Sequence, residues 1–259
     1  MNQTLNHTVN ILGVKVGTQT SNTLIDYTIS SIENKEKIII AYVNIHTINL
    51  SLKLPWFRDY LNQSSKTYCD GYGVKLGAFL LGYHIPERYT APDWLPVLAQ
   101  QCAKDNITMF LLGARPGVAE RAALQLTSQN PGLQIVDTHH GYFNKTLNSP
   151  ENEFIIEKIN TSSADILVLG LGTPLQEQWL IENWNRLNCR VALPVGAALD
   201  YLGGEARRAP HWMTDHGLEW TGRLLANPRR FWKRYLFGIP SFLFTVTRQR
   251  LGRYPLDGS

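Results

Sequence analysis

Cysteine is scarce: Cys69, Cys102 and Cys189 are the only three in 259 residues, and no two stand in C-x-x-C spacing. An odd, scattered set excludes a disulfide scaffold and a zinc knuckle, and it fits a reducing compartment. Charged residues are also few, 18% against 44% hydrophobic, which excludes a disordered chain, while 20 Gly and 13 Pro are too ordinary for a collagen-like one. The start, MNQTLNHTVNILGVKVG, has no basic segment leading into an apolar one, so no signal peptide is expected. No G-x-S-x-G elbow and no Walker lysine motif occurs. His139 and His140 are adjacent, and His211 and His216 are five apart, off the i,i+4 spacing of a helical metal pair. Neither a metal site nor a cofactor is expected.

What is present reads as alternating α/β structure. Short apolar runs rich in β-branched residues have the character of buried parallel strands: Ile38–Val43, Thr108–Leu112, Leu133–Val136, Asp165–Leu169 and Arg190–Pro194. Between them lie stretches of helical period. Residues 117–128 place Val118, Ala122 and Leu126 on one face; residues 173–187 do the same with Leu175, Trp179, Leu180 and Trp184. A further helix start is marked by Ser149 as N-cap, Pro150 at the first position, and Glu151 and Glu153 in the first turn. Such alternation predicts a Rossmann-like parallel sheet flanked by helices, spanning residues 1–204.

The remainder, residues 205–259, differs. It carries ten Lys and Arg against four Asp and Glu, or +6, within a chain whose net charge is +4. Residues 229–254 interleave seven aromatic with seven basic side chains. The longest uncharged run there, Tyr235–Thr247, has 13 residues and contains Gly238 and Pro240. That is short of the roughly 20 apolar residues of a membrane span. Two readings of this helical appendage stay open: a segment lying on an anionic bilayer, and a helix packed on the core with a solvated basic face.

Two glycine-rich turns could carry chemistry. Gly170-Leu171-Gly172-Thr173-Pro174 follows a strand and opens a helix, where free N–H groups attract phosphate, although it is not the dinucleotide fingerprint. Gly113-x-x-x-Gly117 repeats the layout more weakly. Asp70, in Cys69-Asp70-Gly71-Tyr72-Gly73, is on its own more readily a turn former than a general base. No Asp-x-Asp pair exists, the device by which many sugar-nucleotide enzymes hold pyrophosphate through a metal; Glu151-x-Glu153 has that spacing but sits where acids favour a helix start.

Taken in order, the pieces form a series. Asn44 follows the first core strand, then come Asp70-Gly71, Arg88 and Asp93 in ERYTAPDW, Gly113, and Gly141-Tyr142-Phe143. GLGTPLQEQW, VGAALDYLGGEARRAP and GLEWTGRLLANPRRFWKRY complete it. This resembles the WecG/TagA/CpsF family of bacterial glycosyltransferases over about residues 10–240. The resemblance implies inverting, metal-independent transfer from a UDP-sugar to a polyprenyl-diphosphate-linked sugar at the cytoplasmic membrane surface, with the C-terminal appendage docking there. It implies Asp70 as general base, with Asn44, Arg88 and Gln176 around the donor sugar and diphosphate. Tyr142 would stack on uracil, Asp200 would bind its N3–H, and the backbone around Gly170, Gly172 and Thr173 would meet the pyrophosphate. Arg223, Arg230 and Lys233 or Arg234 would stabilise the diphosphates.

The chain departs from the family pattern where the donor would sit. Tyr42 stands where many members have Thr, and Ala91 replaces the glycine of R-x-T-G-x-D in Arg88-Tyr89-Thr90-Ala91-Pro92-Asp93. Both UDP-N-acetylmannosamine and UDP-glucose therefore remain as donors. The competing readings are a non-catalytic module for anionic surfaces or nucleic acid, and a dehydrogenase, which the missing fingerprint disfavours. The enzyme reading expects no nucleic-acid partner and leaves a homo-oligomer open.

Overall fold

The computed structural model describes residues 8–254, apart from the side chains of His211, Asp215 and Arg230. Its main feature is a six-stranded parallel sheet of order β4-β3-β8-β7-β5-β6, formed by β3 (Ile38–Val43), β4 (Lys66–Cys69), β5 (Thr108–Gly113), β6 (Gln134–His139), β7 (Ile166–Gly170) and β8 (Val191–Pro194). A separate two-stranded hairpin pairs β1 (Thr8–Ile11) with β2 (Val14–Gly17).

Two compact units divide the chain. One comprises residues 22–41 and 91–207. It holds α1 (Ser21–Glu33) from its second residue, α5 (Ala91–Asp105), β5, α6 (Val118–Gln129), β6, α7 (Pro150–Ser162), β7, α8 (Leu175–Asn183), β8 and α9 (Ala198–Leu202). Its central strands are apolar without alternation because neither face meets water: every residue of β7 and β8 is buried, as is every residue of β5 after Thr108. Phe110, Leu112, Leu167 and Leu169 pack with Ile155, Ile156 and Ile159 of α7 and with Trp179 and Leu180 of α8. Each such buried side chain stabilises the fold by about 1.5–3 kcal/mol. A polar chain within this core is satisfied: Trp179 Nε1 donates to Asn152 Oδ1 at 2.7 Å, and Asn152 Nδ2 donates to Asn183 Oδ1 at 3.1 Å. Ser149 caps α7 through Asn152 N, and Pro150 takes the first position, as the sequence predicts.

The other unit comprises residues 1–21, 42–90 and 208–259. Its described part contains the hairpin, α2 (Ile45–Ser51), α3 (Pro55–Gln63), β4 and α4 (Tyr72–Leu80), followed by the C-terminal helices. These are α10 (His211–Asp215), α11 (Glu219–Ala226), α12 (Pro228–Trp232), a π-helical turn (Lys233–Phe237) and α13 (Gly238–Arg250). The last helix turns Phe242 and Val246 inward and leaves Phe244, Arg248 and Arg250 exposed. Phe242 lies against Gly77 of α4, where an added Cβ would come within 2.6 Å of its ring. Gln249 fastens the same helix to the hairpin by accepting from Leu12 N and donating to Asn10 O, at 2.8 and 3.1 Å. Among the described residues, no helix is long and apolar enough to cross a membrane.

Candidate active site

The site starts from a helix cap. Asn44, directly after β3, is the N-cap of α2: its Oδ1 accepts from the backbone N–H groups of His46 and Thr47, and Thr47 Oγ1 accepts from the Asn44 N–H to close a capping box. With the carbonyl oxygen committed to the cap, the amide nitrogen points the other way and donates to Asp70 Oδ2 at 2.9 Å. Asp70 follows β4, and its own N–H donates to Val43 O at 2.8 Å. Gly71, at φ 122°, then turns the chain into α4, a backbone angle that favours glycine.

Asn44 and Asp70 lie in the wall of a cavity of about 600 Å³ built wholly from the unit that contains them. The same wall carries Arg88, Glu219, Arg223 and Arg234. Glu219 is held between two guanidinium groups: Arg223 donates to its Oε1 at 2.6 Å, and Arg88 Nη1 lies 3.8 Å from its Oε2. Arg88 also donates to Thr214 O at 3.2 Å and stands 4.9 Å over the Tyr72 ring. The wall also includes Leu76, Phe79, Tyr83, Ile85 and Ile239. Phe79 is 73% exposed, so this wall opens to the surface.

Desolvation by the surrounding wall pushes the Asp70 carboxyl above the usual carboxylate range. The Asn44 hydrogen bond and the Arg223 and Arg88 charges pull it back, while Glu219 adds to the rise. His46, also in the wall, is driven down to about 3 by desolvation and by Arg234 and Lys53, so it is neutral at physiological pH. Arg234 is itself lowered, by desolvation first and by Arg223, against the pull of Tyr235, Tyr42 and Asp70. Three arginines against two carboxylates make this cluster suited to a diphosphate next to a group that can take a proton.

The remaining predicted residues divide between the units. Tyr42 and Lys233 belong with Asp70; Tyr42 faces Tyr68 at 6.5 Å between ring centroids, and Lys233 is exposed, its Nζ 5.5 Å from the Trp232 ring. The Arg230 side chain lies outside the described residues. Asp93, Gly113, Tyr142, Gly170, Gly172, Thr173, Gln176 and Asp200 belong to the other unit. There Asp93 sits in the first turn of α5, and Asp200 sits in α9 with its carbonyl accepting from Glu205 N and Ala206 N. Gly113 allows a close approach of neighbouring strand ends, since an added Cβ would lie 2.4 Å from Gly170 O. Gly172, at φ 84°, faces open space. Tyr142 is 65% exposed.

Beside that glycine turn, Gln176 and Glu177 open α8 fully buried. Gln176 Oε1 accepts from Gly196 N at 3.2 Å, and Glu177 Oε1 accepts from Gln176 Nε2 at 2.8 Å and Thr173 Oγ1 at 2.9 Å. Burial pushes Glu177 up to about 7, against hydrogen bonds from Gln176, Thr173 and its own backbone that favour the anion. Neither Glu177 nor Glu219 stands out in the sequence analysis. Glu219 had a signal, since it precedes Arg223 by four residues on a helix. Glu177 had none, because an acid in the first turn of a helix is expected on electrostatic grounds. Among the described residues, no three His, Cys, Asp or Glu side chains gather as a metal-ligand set. All three cysteines are buried and free.

The model of the glycosyl transferase WecG/TagA/CpsF family matches residues 9–255. The chain belongs to this family. It is also similar to N-acetylglucosaminyldiphosphoundecaprenol N-acetyl-beta-D-mannosaminyltransferases of Staphylococcus aureus strains MRSA252 and NCTC 8325. Each is 26% identical over 246 residues, covering 93% of both chains. The protein is thus a glycosyltransferase, and the non-catalytic reading falls away.

Proposed function

We propose that this family member transfers a sugar, with inversion and without a metal, from UDP-N-acetylmannosamine or UDP-glucose to a polyprenyl-diphosphate-linked sugar in cell-surface polysaccharide assembly. The observation that carries this reading is the cavity itself. A proton acceptor, Asp70, oriented by Asn44, stands among arginines in a wall that also carries exposed apolar side chains, a chemistry that suits a sugar diphosphate on a lipid. The names of the relatives supply the class of acceptor and one of the two donors.

In the reaction, Asp70 takes the proton of an acceptor hydroxyl as that oxygen bonds to the anomeric carbon of the donor. The bond from that carbon to the diphosphate oxygen breaks, and the electron pair leaves on UDP. Attack from the opposite face inverts the configuration. Arg88, Arg223 and Arg234, with Arg230 or Lys233, stabilise the negative charge of the two diphosphates. Asn44 keeps Asp70 oriented, and Gln176, Gly170, Gly172 and Thr173 serve the donor diphosphate. Tyr142 and Asp200 bind the uracil. Residues 205–259 dock on the inner face of the cytoplasmic membrane, where the lipid-linked acceptor is presented.

The test is UDP release in detergent with EDTA present, using a polyprenyl-diphosphate-sugar acceptor and a panel of UDP-sugars. Acceptor-dependent release with one donor supports the reading and identifies the sugar. Release that requires an added divalent metal overturns its metal-independent part. No release with any donor from folded protein that also fails to bind UDP overturns the whole.

A further inference from the structure

Glu177 has an environment that packing alone does not explain. It is 2% exposed, and no described cation is paired with it. Both side-chain donors, Thr173 Oγ1 and Gln176 Nε2, converge on one oxygen, Oε1, while Oε2 is buried with no hydrogen-bond partner among the described residues. An apolar side chain of this length would fill the space without the cost of burying a carboxyl. What the carboxyl supplies instead is an acceptor that two donors share, and those donors belong to the turn after β7 and the first turn of α8. Through Gln176, whose Oε1 accepts from Gly196 N, the same link extends to the turn after β8. In open α/β sheets, ligands bind at these carboxyl ends of strands.

The Gln176 amide cannot choose its own orientation by packing, because its oxygen and nitrogen are nearly the same size. Gly196 N–H at one side and Glu177 Oε1 at the other decide it. Thr173 similarly has a hydroxyl that can rotate, and Glu177 fixes where its proton points. We propose that Glu177 is a positioning residue for the donor diphosphate: it sets the Gln176 amide and the Thr173 hydroxyl before the nucleotide arrives, without touching the nucleotide itself. This inference rests on the reading above that Gln176 and the Gly172–Thr173 turn meet the donor.

Two variants of the full chain separate positioning from packing. Glu177→Gln keeps an oxygen that can accept from both donors; Glu177→Met keeps the length and removes the acceptor. UDP binding is measured by titration calorimetry, and KM for the UDP-sugar and for the acceptor are measured in the UDP-release assay, with melting followed alongside. Glu177→Met is expected to weaken UDP binding and raise the donor KM by roughly tenfold, the effect of losing one to two hydrogen-bond anchors. The acceptor KM should stay within about twofold, and Glu177→Gln should recover most of the lost affinity.

Thr173→Val provides a second check should Glu177→Met fold poorly. If Glu177 acts through Thr173, combining Thr173→Val with Glu177→Gln should cost no more than Thr173→Val alone. Equal UDP affinity in Glu177→Met and the unmodified protein would overturn the proposal. So would a loss in Glu177→Gln as large as that in Glu177→Met, or a matching rise in the acceptor KM. If the unmodified protein bound no UDP, the reading of the donor end would fail first and take this proposal with it.

Discussion

Asn44 Nδ2 donates to Asp70 Oδ2 at 2.9 Å, and it is free to do so because Asn44 Oδ1 is already engaged by the first turn of α2. One amide thus caps a helix and orients a carboxylate. The hydrogen bond favours the anion, yet it does not outweigh desolvation, and the Asp70 carboxyl remains raised. A carboxylate of raised affinity for protons, held in one orientation, is what a general base for a sugar hydroxyl requires.

Replacing Asp70 with Asn should therefore separate activity from stability. Turnover is expected to fall by about 10²–10⁴, the usual worth of a general base. The fold should not suffer, because an Asn at this position still offers an oxygen to Asn44. A carboxyl whose folded-state affinity for protons is raised costs stability above its folded pKa, and the cost fades as pH falls through that value. Asp70→Asn should thus melt higher than the unmodified protein at neutral pH, and the gap should close toward acid. Melting curves across pH, with UDP release at each point, measure both. Full activity in the variant removes Asp70 as the base.

Glu219 makes the opposite kind of contribution. Its negative charge raises Asp70, while its two oxygens engage Arg88 and Arg223. Glu219→Gln should lower the Asp70 pKa, so the acid limb of the kcat/KM profile should move to lower pH. The maximum should drop as well, because both guanidinium groups lose a charged partner. An acid limb that stays in place, or moves up, contradicts the account of this cluster.

The same contrast governs what the sequence made legible. Strands β3, β5, β7 and β8 announce themselves because the sheet buries both of their faces, leaving unbroken apolar runs. Strand β6 is at the edge, and it runs on through Asp137, Thr138 and His139 past the apolar stretch, with Lys158 paired to Asp137. The hairpin is hidden because its turn is Leu12-Gly13, both at positive φ, rather than the Asn-Gly that usually marks such turns. Strand β4 has only four residues between polar neighbours. Asp70 alone reads as a turn former, and it takes the long-range contact with Asn44, 26 residues away, to give it another role. Glu177 is the extreme case, since nothing local distinguishes it from any acid in a helix first turn.

Gly77 tests how the C-terminal helix is held. An added Cβ there would meet the Phe242 ring at 2.6 Å, and Phe242 is fully buried. Gly77→Ala should destabilise the protein by about 1–3 kcal/mol, the usual cost of overpacking. Phe242→Ala should cost about 3–5 kcal/mol. Because the two residues meet, the double variant should lose less than the two single losses added, a coupling that denaturant titration can measure. Strict additivity would mean that α13 does not rest on α4 through this contact.

The exposed apolar side chains of the cavity wall yield the last prediction. Phe79, Leu76 and Tyr83 are 73%, 46% and 44% exposed, and Arg229 and Lys233 are exposed in the C-terminal helices of the same unit. On the reading proposed above, the aromatic and aliphatic side chains meet the polyprenyl chain, and the basic ones meet anionic headgroups. These two contributions respond to different variables. Phe79→Ser should raise KM for a long-chain polyprenyl acceptor by tenfold or more, since burying one such side chain is worth about 1.5–3 kcal/mol. It should leave a short, water-soluble acceptor unchanged. Arg229→Ala with Lys233→Ala should instead weaken sedimentation with anionic vesicles, by about 1 kcal/mol per residue, an effect that added salt erases and neutral vesicles never show. If Phe79→Ser impairs both acceptors equally, the apolar wall serves the sugar end rather than the lipid. If the paired substitution leaves vesicle binding unchanged, the charge of residues 205–259 works inside the cavity rather than at the membrane.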